Sequence, residues 1–226
     1  MKKIMCVSIV AFGMIAAMTL TSCDSKKAPA NTEEPIIGTD YTLVKTPDGA
    51  VGIKKGETFI MEPKSQYSDI TAEGGMFIAK NAETGYALLN PENGHENERF
   101  SADTIIWKEK FFEGTRNGIY LIYIPASKVQ FAAKSYAVKG SYALGTFNDK
   151  ISLWKDSVQL IEPTGDFAKM AVLPDGKILV LNGKAWGTAT VKNKALVPGK
   201  AVSAKDLKKH KASKGWDDKA TVMILE

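Results

Sequence analysis

The residues best suited to chemistry lie in one polar stretch near the middle of the chain. His95, Glu96 and Glu98 stand close together and could hold a metal ion or supply a carboxylate pair for acid–base catalysis. They follow Pro91-Glu92-Asn93-Gly94, a sequence typical of a surface turn, so we expect a solvated loop there. The other histidine, His210, is not accompanied by a G-x-S-x-G nucleophile signature. We therefore assign no catalytic residue and no metal ligand from the sequence.

Aromatic side chains suggest binding instead. Trp107 is followed by Lys108 and Trp216 by Asp217, and these polar neighbours predict that both indoles are exposed, where they could stack on a sugar or pack on a peptide. Most aromatics on strands are expected to be core residues. The aromatic set from which a binding surface would be drawn is Trp107, Phe111, Phe112, Tyr120, Tyr123, Trp154, Trp186 and Trp216.

Two short motifs indicate possible modification. Asp103-Thr104-Ile105 and Asp156-Ser157-Val158 resemble the Asp-Ser/Thr-apolar acceptor for O-glycosylation in one lineage of Gram-negative bacteria. The resemblance makes Thr104 and Ser157 candidate glycosylation sites, and chance occurrence of so short a pattern is the alternative.

The N-terminal residues predict export. A basic start at Lys2 and Lys3 precedes an apolar run from Ile4 to Leu20, and Leu20-Thr21-Ser22-Cys23 closes that run. The pattern resembles the lipobox of bacterial lipoproteins, which implies that Cys23 becomes the acylated first residue of the mature chain. An uncleaved anchor would need about 20 apolar residues, and an ordinary secretory signal is the other alternative.

This resemblance implies a protein tethered to membrane lipid by acyl chains such as palmitate, on the periplasmic or surface face of a bacterial membrane, with the outer membrane expected. Residues 1–22 would be the signal peptide and 23–40, rich in Ser, Lys, Ala and Pro, a flexible tether. Residues 41–226 are long enough for one folded domain. The mature chain, residues 23–226, has a net charge of +3 (28 basic less 25 acidic residues), which is too small to indicate nucleic-acid binding.

The folded part shows short apolar runs between turn signals rather than helical periodicity. Asn117-Gly118, Asn148-Asp149 and Pro174-Asp175-Gly176 are among those signals, and they supply the positive φ that tight hairpins require. The predicted strands are Tyr41–Val44, Val51–Ile53, Thr58–Met61, Met76–Ala79, Tyr86–Leu89, Ile119–Ile124, Tyr142–Phe147, Ile151–Trp154, Val158–Ile161, Ala168–Leu173, Ile178–Leu181 and Thr188–Val191. We therefore predict an all-β fold of antiparallel hairpins.

The hairpins repeat at a fixed interval. Gly52, Gly85 and Gly118 are 33 residues apart (85 less 52, 118 less 85), and Ile151 falls in the same phase. A next unit would begin near Lys184, where the glycines are slightly out of phase. Such a period is typical of stacked or radially arranged units, which predicts a propeller-like or open array of tandem β-hairpins.

One unit resembles the WG-type β-repeat of bacterial proteins. The matching segments are Gly52-Ile53, Lys55-Gly56, Ile60 to Pro63 and Tyr67 to Ile70. Val51 replaces the tryptophan of the pattern, and only Trp186-Gly187 keeps the pair. The resemblance covers about Val51 to Val191 and implies a repeat architecture without naming an activity; chance similarity among β-hairpins is the alternative.

The end of the chain changes character. Ser203 is a good helix cap, and the acid-first, base-last order of Val202 to His210 favours a short helix. Ala220 to Leu225 predicts a closing strand that would complete the first unit if the array closes.

These features predict a membrane-anchored envelope lipoprotein whose β-repeat domain is noncatalytic and binds or scaffolds an envelope protein or glycan. No cofactor is expected. The alternative is an envelope glycan or peptidoglycan hydrolase that uses a carboxylate pair.

Overall fold

The computed structural model describes residues 30–226, which form one compact unit from Asn31 to Glu226. This part contains twenty-one short strands and one short helix, so the predicted all-β class is confirmed. The one helix found in residues 30–226 is not long and apolar enough to cross a membrane. Cys23 and the predicted signal peptide lie outside the described residues.

The strands form five sheets that follow one another along the chain, and all neighbouring strands are antiparallel except one pair in sheet 5. Sheet 1 contains β1 (Thr32–Pro35), β2 (Tyr41–Lys45), β3 (Val51–Lys55) and β4 (Thr58–Lys64). Sheet 2 contains β5 (Tyr67–Glu73), β6 (Met76–Asn81), β7 (Gly85–Leu89) and β8 (Glu96–Ala102). Sheet 3 contains β9 (Thr104–Trp107), β10 (Phe112–Arg116), β11 (Ile119–Ile124) and β12 (Val129–Ala133). Sheet 4 contains β13 (Ser135–Lys139), β14 (Tyr142–Phe147), β15 (Lys150–Lys155) and β16 (Val158–Thr164). Sheet 5 contains β17 (Lys169–Val172), β18 (Ile178–Asn182), β19 (Ala185–Lys192), β20 (Ala195–Ala201) and β21 (Val222–Ile224), and the helix α1 (Ala204–Lys211) precedes β21.

Consecutive sheets pack through one apolar cluster each. Alternate residues of a strand point to opposite faces, so on β6 Phe77 packs towards sheet 1 while Ile78 packs towards sheet 3. A sheet buried on both faces needs continuous apolar runs rather than alternation. This explains why β7 and β18 are apolar at successive positions, and why β15 is buried at three successive positions although the middle one is Ser152.

The predicted 33-residue period corresponds to one sheet. Strands β3, β7, β11 and β15 are each the third strand of their sheet. Sheets 1 and 4 match in detail: Ile53 pairs with Met61 and Leu153 with Ile161, and a register shift follows at the same place in both. The sequence repeat is therefore a structural repeat.

The fifth sheet explains the loss of phase. Its strand β18 has the buried pattern of β3 and begins at Ile178, 27 residues after Ile151 (178 less 151), because no strand precedes β17. The missing place is filled from the end of the chain: β21 pairs with β17 in parallel, Ala171 opposite Met223. The predicted closing strand is confirmed, but its predicted position is wrong, since it completes sheet 5 and not sheet 1.

The two ends of the stack are finished differently. On sheet 5 the helix α1 and the segment before β21 cover the outer face, with Leu207 and Trp216 against Trp186 and Met223. Ser203 caps α1 by accepting a hydrogen bond from the Asp206 amide (3.1 Å), as predicted.

On sheet 1, Lys54 pairs across the strands with Glu33 (2.8 Å) and lies over the Phe59 ring. Terminal units of a stack need a polar outer surface. The Lys54–Glu33 ion pair supplies charged groups to the outer surface of sheet 1. Because Glu33 belongs to β1, the folded unit begins at Asn31 rather than at residue 41, and part of the predicted tether is a strand.

Candidate functional site

The two tryptophans predicted to be exposed are half-buried packing residues. Trp107 packs on Phe112 with tilted rings (4.6 Å between centroids, 46°) and fits against Gly74, where an added Cβ would lie 2.6 Å from the indole. Trp216 packs at 5.1 Å on Trp186, and its Nε1 donates to Asp218 (3.0 Å). Neighbouring charges do not keep these rings in solvent, because each ring packs on an aromatic residue of another segment: Trp107 on Phe112 of β10 and Trp216 on Trp186 of β19.

The His95–Glu98 stretch is less loop-like than predicted, since β8 begins at Glu96. The Tyr67 hydroxyl donates to the Glu96 carboxylate (3.0 Å), and burial together with that bond raises the pKa of Tyr67 to about 12. His95, Glu96 and Glu92 line a cavity of about 410 Å³ beside Lys128, which we call the polar cavity. In the part of the chain that the structure describes, no group of three or more His, Cys, Asp or Glu side chains could hold a metal ion.

The two candidate glycosylation sites differ in surroundings. Thr104 is exposed on the edge strand β9, but its hydroxyl is hydrogen-bonded to the Thr115 hydroxyl (2.6 Å). Ser157 lies in the exposed turn between β15 and β16, next to Asp156 with φ of 51°. Whether either residue is modified stays a prediction, and Ser157 is the more accessible acceptor.

An aromatic cleft opens between sheets 3 and 4. Its large apolar lining residues are Phe131, Phe147, Trp154 and Pro163, and its volume is about 350 Å³, within the range of small-ligand pockets. Phe131 and Trp154 stack almost parallel at 4.4 Å and 12°. Phe147 is 43% exposed and is the one aromatic among the exposed large apolar side chains of residues 30–226.

A glycine makes the aromatic stack possible. Gly145 on β14 lies directly under the Phe131 ring, and a Cβ at this position would come within 2.7 Å of the ring. Because the backbone is bare there, Phe131 can reach across from sheet 3 and lie flat against Trp154. The cleft is therefore built by the contact between two sheets and by neither sheet alone.

Polar groups line the same cleft. Asn148, Lys150, Ser152 and Gln159 contribute amide, ammonium and hydroxyl groups. Asn148 is held by its hairpin turn, in which both central residues have positive φ (50° and 59°), as a type I′ turn requires. The predicted Asn-Asp turn signal thus positions one wall of the cleft.

A tyrosine–glutamate hydrogen bond also ties sheets 3 and 4 together. The Tyr136 hydroxyl of β13 donates to the Glu113 carboxylate of β10, and the Tyr136 ring packs edge-on against Phe111 and Tyr120. Burial, and then the bond to Glu113, hold the pKa of the Tyr136 phenol well above its usual value. Tyr136 is therefore a neutral donor at physiological pH, and the bond helps to fix the two sheets that form the cleft.

No protein-family model matches the chain, and no curated protein matches it. Solved structures show low-level similarity: Hsv2 of Kluyveromyces marxianus (8% identity, TM-score 0.30, 72% of this chain and 61% of that chain), BamB from Moraxella catarrhalis (11%, 0.28, 75% and 60%) and the WD40 β-propeller domain of Doa1 (11%, 0.27, 73% and 65%). The chain spans less than two thirds of the length of each. The fold assignment therefore rests on the five sheets themselves.

The sequence does not single out the cleft residues. Trp154 is one of several aromatics expected in the core, and Phe147 is an apolar residue at the end of a predicted strand. One sequence signal for its exposure is that Phe147 stands immediately before the turn residues Asn148-Asp149, since turns run over the protein surface.

Proposed function

We propose that this protein is a lipid-anchored envelope lipoprotein whose β-repeat domain is a noncatalytic binding module, with the aromatic cleft between sheets 3 and 4 as its binding site. The observation that supports the binding role best is the exposed Phe147 beside the stacked Phe131–Trp154 pair. Exposed aromatics in a preformed pocket bind ligands at low entropic cost.

The anchoring part of the proposal is supported by the sequence before and at Cys23. Two or more acyl chains attached to one protein hold it stably on a membrane. We expect the native protein to fractionate with membranes and the Cys23→Ala variant to leave them. Protease treatment of intact cells would then establish the face: digestion without lysis indicates the cell surface, and protection until the outer membrane is opened indicates the periplasm. Equal membrane retention of both forms would contradict the anchor.

The binding part is tested by measuring whether the purified protein captures solubilised envelope material through the aromatic cleft. Phe147→Ala removes an exposed ring that contributes little to the core, and Val158→Ala, at another exposed apolar position, is the matched control. We expect the purified Phe147→Ala protein to lose most of its capture of solubilised envelope material while Val158→Ala keeps it. Equal capture by both variants would remove the cleft from the proposal.

A second candidate function rests on the polar cavity. Glu92 and Glu96 line the same space as His95, and paired carboxylates are the machinery of glycoside hydrolysis. If the protein is a hydrolase, it releases reducing ends from peptidoglycan, and Glu92→Gln and Glu96→Gln each abolish this release. Glu98→Gln is the control, because Glu98 is exposed and lies outside the polar cavity, and it should leave the release unchanged. An absence of product from the wild-type protein would exclude this alternative.

A further inference from the structure

The charge of the folded unit is divided between its two halves. Residues 31–133 carry 10 basic and 15 acidic side chains, a net charge of −5, whereas residues 134–226 carry 16 basic and 9 acidic ones, a net charge of +7. Most lining residues of the aromatic cleft, from Gly145 to Pro163, belong to the positive half. A positive field attracts anionic ligands before contact.

The charge inside the cleft has the same sign. Lys150 is the one charged side chain among the cleft's lining residues, and no carboxylate accompanies it. None of the ion pairs found between residues 30 and 226 uses Lys150. Lys150 is an exposed residue, and its ammonium group is available to a carboxylate on a ligand.

The neutral polar groups fit a ligand rich in hydroxyl groups. The amides of Asn148 and Gln159 each offer both donors and an acceptor, and the Ser152 hydroxyl can act as either. All three line the cleft, and the side-chain hydrogen bonds found within residues 30–226 do not involve them. A sugar presents paired donors and acceptors of this kind, whereas a wholly apolar ligand would leave these groups unsatisfied.

The aromatic surfaces supply the remaining recognition element. The Phe147 ring is 43% exposed and Trp154 is half-buried. The face of an aromatic ring is electron-rich and attracts positively polarised groups, and the C–H bonds on the flat side of a pyranose ring are such groups.

We propose that the aromatic cleft binds a carboxylated saccharide, with the pyranose ring against Phe147 and Trp154, its hydroxyls at Asn148 and Gln159, and its carboxylate at Lys150. This inference rests on the proposed binding function and names its ligand class. A peptide is the competing occupant that the experiment must separate.

The test is calorimetric titration of the full chain in detergent. The probes are hexuronic-acid oligomers, neutral glucose oligomers of equal length, and a mixed acidic peptide. We expect the uronic-acid oligomers to bind and to bind more weakly as salt rises. Lys150→Gln should lower their affinity about tenfold, as loss of a charged hydrogen bond does. Lys184→Gln, which removes an exposed lysine of the same half outside the cleft, should leave affinity unchanged.

Phe147→Ala should lower the affinity by a similar factor and Val158→Ala should not. Tighter binding of the neutral oligomers or of the peptide, or equal effects of Lys150→Gln and Lys184→Gln, would overturn the inference. If Phe147→Ala abolishes envelope capture while no uronic-acid oligomer binds, the saccharide class is wrong and the binding function stands. If envelope capture and oligomer binding are both indifferent to the cleft variants, both proposals fail.

Discussion

Gly145 is the position at which a single added methyl group should report on the cleft. A Cβ on Gly145 would lie 2.7 Å and 2.8 Å from two carbons of the Phe131 ring, whereas carbon atoms pack at about 3.5–4.0 Å. The ring must therefore move by about 0.8 Å or more, away from the place where it stacks on Trp154. The backbone itself does not oppose alanine, because Gly145 has no left-handed φ.

The size of the effect follows from two opposing contributions. Overpacking of a well-filled contact costs about 1–3 kcal/mol, and replacing glycine by alanine recovers about 0.4–1 kcal/mol by restricting the unfolded chain. We expect Gly145→Ala to lower the free energy of unfolding by about 1–2 kcal/mol. Gly165→Ala is the matched control, since its Cβ would meet only one atom, at 3.7 Å, and it should be neutral or slightly stabilising.

Urea unfolding of the four forms in a double-mutant cycle separates the ring contact from other causes. Phe131→Ala alone should cost about 3–5 kcal/mol, because it empties a buried site. In that background Gly145→Ala should cost almost nothing, since the ring that it strikes is gone. If Gly145→Ala costs as much without Phe131 as with it, the explanation of this glycine and of the cleft's construction is wrong.

Three further outcomes are expected. Lys139 and Lys214 hold the pKa of the Glu226 carboxyl at about 2, below its ordinary 4.5. The stabilisation by this carboxylate is therefore present above pH 4.5 and is lost as the pH falls towards 2. Glu226→Gln should lower the Tm at pH 7 but not at pH 2, and a Tm difference independent of pH would contradict the pairing. Ser203→Ala should cost about 1 kcal/mol in urea unfolding, and an unchanged value would mean that the cap is not stabilising. Ser157→Ala should remove any glycan mass from protein made in its native host, and a glycan retained on that variant would place the modification elsewhere.

Most of the inner strands could be predicted from the sequence. All twelve predicted strands fall on strands of the structure, because buried strands carry apolar runs and their turns carry Gly, Asn or Asp. The strands that were missed are mostly at sheet edges, such as β1, β8 and β20. Edge strands face solvent on one side and tolerate charge and proline, so Thr32–Pro35 and Ala195–Ala201 lack the apolar signal.

The candidate site was less predictable. Charged neighbours predict exposure of Trp107 and Trp216, but neighbours in the chain do not show what packs on a ring from another segment, here Phe112 and Trp186. The residues of the cleft come from β12, β14, β15 and β16. Their convergence depends on how sheet 4 sits on sheet 3, which sequence spacing alone does not reveal.

The sequence by itself determined the local features: the hairpin turns, the 33-residue unit, the Ser203-capped helix and the all-β class. These depend on φ preferences, capping and burial along short segments, all of which act between near neighbours in the chain. Only the tertiary structure decided that β21 pairs in parallel with β17 and that Phe131 lies on Gly145 against Trp154. Both arrangements join segments of different hairpins, and the free energy that selects them comes from packing between whole sheets, which no local pattern encodes.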